Sequence, residues 1–119
     1  FMMAFSIGSN DAANGLGTSY GTKALPLTWL ISNGALAEFV GAMFMSDSVA
    51  TTLSQDIVPG LQYEEPQVQK KMMFSVCFVS FSFIMSSSYM GMPVSGTHAV
   101  IGALLGAGWI STGFMELPW

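Results

Sequence analysis

From Met72 to Met92 the chain runs twenty-one residues without a charge. A helix of that length is about as long as the hydrocarbon core of a bilayer is thick. Lys70 and Lys71 stand at one end, where long cationic side chains anchor a span at the interface. The serines inside the run (Ser75, Ser80, Ser82 and Ser86 to Ser88) fit this reading, because a helix satisfies hydroxyls on its own carbonyls. Charged residues make up only 8% of the chain, too few for a soluble surface, where about a quarter is usual. The expected fold is an all-α membrane protein.

The remaining apolar stretches give the organisation. One segment covers about 1–21, and its composition changes at Gly8, so a break is expected near 8–10. A second covers 27–46 after Pro26, a residue favoured at helix starts. A polar loop follows over 47–71, with a short amphipathic helix expected at about 48–57. The uncharged run makes the third segment, 72–92. The fourth, 95–110, follows Pro93 and is short for a full crossing, so it reads as a broken or re-entrant helix. No internal repeat is evident, and residues 1–119 read as a single transmembrane unit. The missing initiator Met and the ending "MELPW" suggest a piece of a longer protein.

Several functions are excluded or disfavoured. The lone Cys77 has no disulfide partner, and with His98 as the sole histidine there is no zinc set. The net charge of −4 lies mostly between Asp47 and Glu65 and leaves no basic patch for nucleic acid. No organic cofactor is implied. An intramembrane hydrolase using Ser95, His98 and an acid lacks a nucleophile elbow, so an enzyme is not expected.

Two acids fall inside the apolar segments, Asp11 and Glu38. An ionisable side chain in the bilayer costs at least ~2.5–3.5 kcal/mol on insertion scales. Lys23 is the only basic residue before position 70, and it lies at a segment end. The acids therefore need protonation, a partner elsewhere in the full protein, or a bound cation. Asn10, Asp11 and Asn14 offer the oxygens that hard cations such as Na+ take. On a helix, Asp11, Asn14 and Thr18 share one face, and an unwound turn at Gly8 to Asn10 would add carbonyls. The bland alternative is that the amides hold helices together while Gly15 and Gly17 allow close packing. Gly34, Glu38 and Gly41 likewise share a face, which directs that acid toward protein.

In "PVSGTH", a proline break precedes Ser95, Gly96, Thr97 and His98 at a helix start. First-turn N–H groups are free and carry partial positive charge, the arrangement that holds phosphate. Gly96 lets an anion approach, Ser95 and Thr97 supply hydroxyls, and His98 can contact the anion or carry a proton. A captured cation would make the acid-and-amide site attractive to an anion. Phosphate also carries protons at neutral pH and can donate to a carboxylate such as Glu38. Cation-coupled anion transport uses all of these residues; the alternative is a structural or channel-like membrane subunit whose polar residues only pack helices.

"GSNDAANGLGTSYGTKAL" resembles the G-A-N-D-x-A-N signature of the inorganic phosphate transporter (PiT) family, and "PVSGTHAVIGALLGA" resembles its P-[VI]-S-x-T-H segment. "LAEFVGA" between them is similar to the family's membrane glutamate and its small neighbour. The resemblance implies secondary active transport of inorganic phosphate, coupled to Na+ or H+, by a multi-pass protein, with the plasma membrane as the expected host. It implies two inverted repeats, of which this chain is similar to the N-terminal one; the second repeat, the lipid bilayer and, in a homodimer, a second copy are the implied partners. Asn10, Asp11 and Asn14 would then lie in the cation region. Asn14, Glu38, Ser95, Gly96, Thr97 and His98 would contact phosphate. Ser9 stands where the family usually has Ala, a small-for-small change.

Overall fold

The computed structural model describes residues 1–53, 57 and 65–112, and every regular element in it is helical. Four α-helices follow in order: α1 (Met2–Gly21), α2 (Leu27–Thr51), α3 (Pro66–Tyr89) and α4 (Gly96–Thr112). α2 and α3 are long and apolar enough to cross a membrane. The core is sparse: among the described residues the buried apolar side chains are Leu30, Val76, Ile84 and Leu104. Val76 and Leu104 join α3 to α4, with Leu53, Met72, Met73 and Val100 packed around them. Large apolar side chains are exposed on all four helices, among them Phe5, Phe39, Phe44, Phe78 and Ile110, as a surface meeting lipid or further protein requires.

The expected break near 8–10 is absent: α1 is continuous from Met2 to Gly21. Its polar residues are satisfied without unwinding. Ser6 Oγ donates to the Met3 carbonyl at 2.8 Å and Ser9 Oγ to the Ser6 carbonyl at 2.9 Å. Gly8 costs only about 1 kcal/mol relative to Ala, which twenty residues of helix absorb.

The polar loop expected over 47–71 is shorter than its composition suggested. α2 continues to Thr51, in place of a separate helix at 48–57, and residues 54–56 lie outside the described residues. Ser48 Oγ and Thr51 Oγ1 donate to the Met45 and Asp47 carbonyls, so these side chains sit comfortably on a helix. α3 likewise begins at Pro66, whose fixed φ suits the first helical position, and the good helix formers Gln67, Gln69, Lys70 and Lys71 carry it forward.

Two tight turns set the topology. α3 ends on a Schellman motif, with Met92 N–H donating to the Ser87 carbonyl at 2.9 Å and Gly91 N–H to the Ser88 carbonyl at 3.1 Å. Gly91 supplies the left-handed residue, φ +70°, and Pro93 then prevents the helix from resuming. α1 ends on the same motif, through Lys23 N–H to the Tyr20 carbonyl and Ala24 N–H to the Ser19 carbonyl. There the left-handed residue is Lys23, φ 55°.

Candidate functional site

The α3–α4 turn, Met90 to Ser95, has three backbone groups bonded by side chains of α1. The Met92 carbonyl and the Val94 N–H flank Pro93, which has no N–H of its own. Asn10, nearly halfway along α1, bridges them. Its Nδ2 donates to the Met92 carbonyl at 3.3 Å and to Ser88 Oγ at 3.0 Å, while its Oδ1 accepts the Val94 N–H at 3.1 Å. A carbonyl on one side and an N–H on the other fix which way the amide points. Asn10 is 4% exposed.

Asn14, one turn further on, completes the pairing. Its Nδ2 donates to the Val94 carbonyl at 3.1 Å, to Asn10 Oδ1 at 3.2 Å and to Asp11 Oδ1 at 3.4 Å. Both backbone groups of Val94 are thus held by α1 side chains. Where water is scarce an unpaired backbone group costs several kcal/mol, which accounts for two amides in an otherwise apolar helix. Ser9, Ala13, Ser88, Gly91 and Pro93 complete a recess beside these amides.

Asp11 lies where α1 meets the start of α4. A Cβ added to Gly96 would sit 3.4 Å from Asp11 Oδ2 and 3.3 Å from Ile7 Cγ1, so only a glycine allows this approach without displacing a neighbour. The carboxylate thus lies beside the first residue of α4.

Ser95 caps α4: its Oγ accepts the His98 N–H at 3.3 Å, the bond expected of a serine in that position. The other first-turn residues fan outward. Ser95 and His98 line a largely apolar groove between α3 and α4, with Val79, Ser80 and Phe83. Gly96 is buried against α1. Thr97 faces a second groove with Ser48, Val49 and Thr52 at the far end of α2.

The residues expected to contact ions therefore divide. Asn10, Asp11, Asn14 and Gly96 come together, Ser95 borders them, and Thr97 and His98 leave the same turn in other directions. Glu38 stands apart, exposed on α2. Of its face, only Gly34 meets a neighbour, with an added Cβ 3.2 Å from Leu16 Cδ1; one at Gly41 would meet nothing within 4 Å. Among the described residues no three His, Cys, Asp or Glu side chains form a metal cluster.

The sequence reading missed Ser88 and Gly91. The Gly91-x-Pro93 spacing is a recognisable helix stop, whereas nothing local separates Ser88 from Ser86 and Ser87.

Comparison with known proteins gives a consistent answer. The model of the phosphate transporter family matches residues 7–119. A sodium-dependent phosphate transporter of Toxoplasma gondii is 33% identical over 120 residues, spanning 100% of this chain and 14% of that protein. Inorganic phosphate transporter 2-1, chloroplastic, of Arabidopsis thaliana is 32% identical over 123 residues, spanning 100% and 20%. A relative in Haemophilus influenzae, bearing the name of a phosphate permease, is 33% identical over 120 residues, spanning 100% and 29%. The chain thus spans less than a third of each of these relatives. No solved structure matches it.

Proposed function

The chain belongs to the phosphate transporter family, and from that premise we propose that it forms part of a carrier for inorganic phosphate, driven by Na+ or H+. The observation that carries the proposal is the placement of Asp11 between Asn14 and Gly96 at the start of α4. An unneutralised carboxylate there repels an anion from the free N–H groups of α4. A cation on Asp11, with Asn14 and its neighbour Asn10 at hand, offsets that charge and opens the helix terminus to phosphate. Binding of one ion then favours the other, which is the basis of coupled transport. The carrier performs no covalent chemistry in this scheme.

Phosphate contacts are assigned to Asn14, Ser95, Gly96, Thr97 and His98, with Glu38 as acceptor for a phosphate proton. Thr97, His98 and Glu38 face away from one another in this chain, so a second, inverted repeat of the full protein would supply the opposing half. The α3–α4 turn lies against the middle of α1. With α3 as a full crossing, the short α4, which starts beside the middle of α1, is the proposed broken or re-entrant helix of the kind transporters use to reach a central site. The full protein is multi-pass, with the plasma membrane as its proposed location, and a homodimer is its proposed assembly.

The test is radiolabelled phosphate uptake by the full-length protein, with Na+ replaced by choline and pH varied. Uptake should follow one of the two gradients and fall to background in Asp11→Asn. Uptake indifferent to both gradients would overturn the coupling. The second reading, that the polar residues only pack helices, draws support from the three backbone groups that Asn10 and Asn14 hold; unchanged uptake in Asp11→Asn would favour it.

A further inference from the structure

We propose that Asn10 and Ser88 are positioning residues, a clasp that holds the α3–α4 turn so that the first turn of α4 faces Asp11. The inference rests on the carrier reading and assigns Asn10 a distinct part in it. Asn10 Oδ1 already accepts two hydrogen bonds, from the Val94 N–H at 3.1 Å and from Asn14 Nδ2 at 3.2 Å. Those bonds occupy the two lone pairs of an amide oxygen, whereas a cation ligand must present one of them to the ion.

The other end of the same side chain leads to the same conclusion. Asn10 Nδ2 divides its two hydrogens between the Met92 carbonyl and Ser88 Oγ. Ser88 belongs to the last turn of α3, and its carbonyl closes the Schellman motif through the Gly91 N–H. One serine thus ties the helix end, the left-handed glycine and α1 together. Val94, gripped at both its N–H and its carbonyl, immediately precedes Ser95, the cap of α4. Displacing the clasp displaces the start of α4, and with it the first-turn groups that would receive phosphate, while Asp11 keeps its place on α1.

A positioning pair and a cation ligand give different kinetics. Phosphate uptake is measured in vesicles carrying the full-length protein, with the KM for phosphate and the half-activating concentration of the driving cation determined separately. Ser88→Ala should raise the phosphate KM by roughly fivefold, the effect of losing one hydrogen bond of ordinary strength, and leave the cation constant unchanged. Ser88→Thr, which keeps the hydroxyl, should restore the KM. Asn10→Ala combined with Ser88→Ala should be no worse than Asn10→Ala alone, because both changes open one contact. A wild-type phosphate KM in Ser88→Ala, or effects that multiply in the double variant, would overturn the clasp. So would a shift of the cation constant in Asn10→Ala as large as that caused by changing Asp11. Vesicles with wild-type protein that take up no phosphate would defeat the carrier reading itself, an outcome separate from all of these.

Discussion

α1 and α2 both carry polar groups on apolar helices, and they dispose of them in opposite ways. On α1 every amide is engaged: Asn10 and Asn14 hold the α3–α4 turn, and Asp11 meets the start of α4. On α2 the mid-helix acid, Glu38, stands exposed on a helix whose one buried residue is Leu30. The first arrangement is complete within the chain. The second has its acid facing outward, toward whatever covers α2 in the full protein. Internal polar pairing fixes the position of a turn, while an outward acid adds nothing to this bundle and is open to a function.

Four substitutions sharpen that contrast. Glu38→Gln should reduce phosphate uptake at least about tenfold, equivalent to ~1.4 kcal/mol in the transport barrier, with the melting temperature of the detergent-solubilised protein unchanged. A large fall in melting temperature would mean that Glu38 has a structural partner after all. Gly91→Ala should act on the other side of the comparison. The open space around Gly91 accepts a methyl group, but φ +70° does not favour an L-residue, so a loss of about 1–2 kcal/mol is expected in thermal unfolding. Gly96→Ala should be milder in stability, within about 1 kcal/mol, since Ile7 and the Asp11 carboxylate need move only slightly. Its signature should instead be a weaker response to the driving cation, read from uptake at graded Na+ or pH. Smallest of all, Lys23→Gly should stabilise the protein by about 0.5–1 kcal/mol, by relieving the left-handed lysine that closes α1. No gain in melting temperature would mean that Lys23 has compensating contacts.

How much of this was legible in the sequence depends on the range of the interactions involved. Local signals carried far: the Ser95 cap lies three residues from the N–H it receives, and Pro93 marks the end of the preceding helix. The glycine at 8 misled, because the backbonding of Ser6 and Ser9 keeps the helix wound at little cost. The helical starts and stops around 47–71 were obscured for a similar reason, since polar composition there reads as loop although Ser48 and Thr51 bond their own helix. The partners of Asn10 in the α3–α4 hairpin lie 78 to 84 residues away, and nothing in the local pattern around Asn10 names them. An amide in an apolar helix announces that a partner exists; only the fold says that the partner is a proline-broken turn.

The first turn of α4 has a mechanical consequence. Successive helical residues are about 100° apart around the axis, so Ser95, Gly96 and Thr97 are turned toward α3, α1 and α2 respectively. One short stretch of chain thus turns a different residue toward each of the other helices. A rotation of α4 by a single residue's angle would bring a hydroxyl toward the carboxylate of Asp11 and turn the glycine toward a groove. An ion arriving or leaving at this point therefore acts where the start of α4 lies against α1.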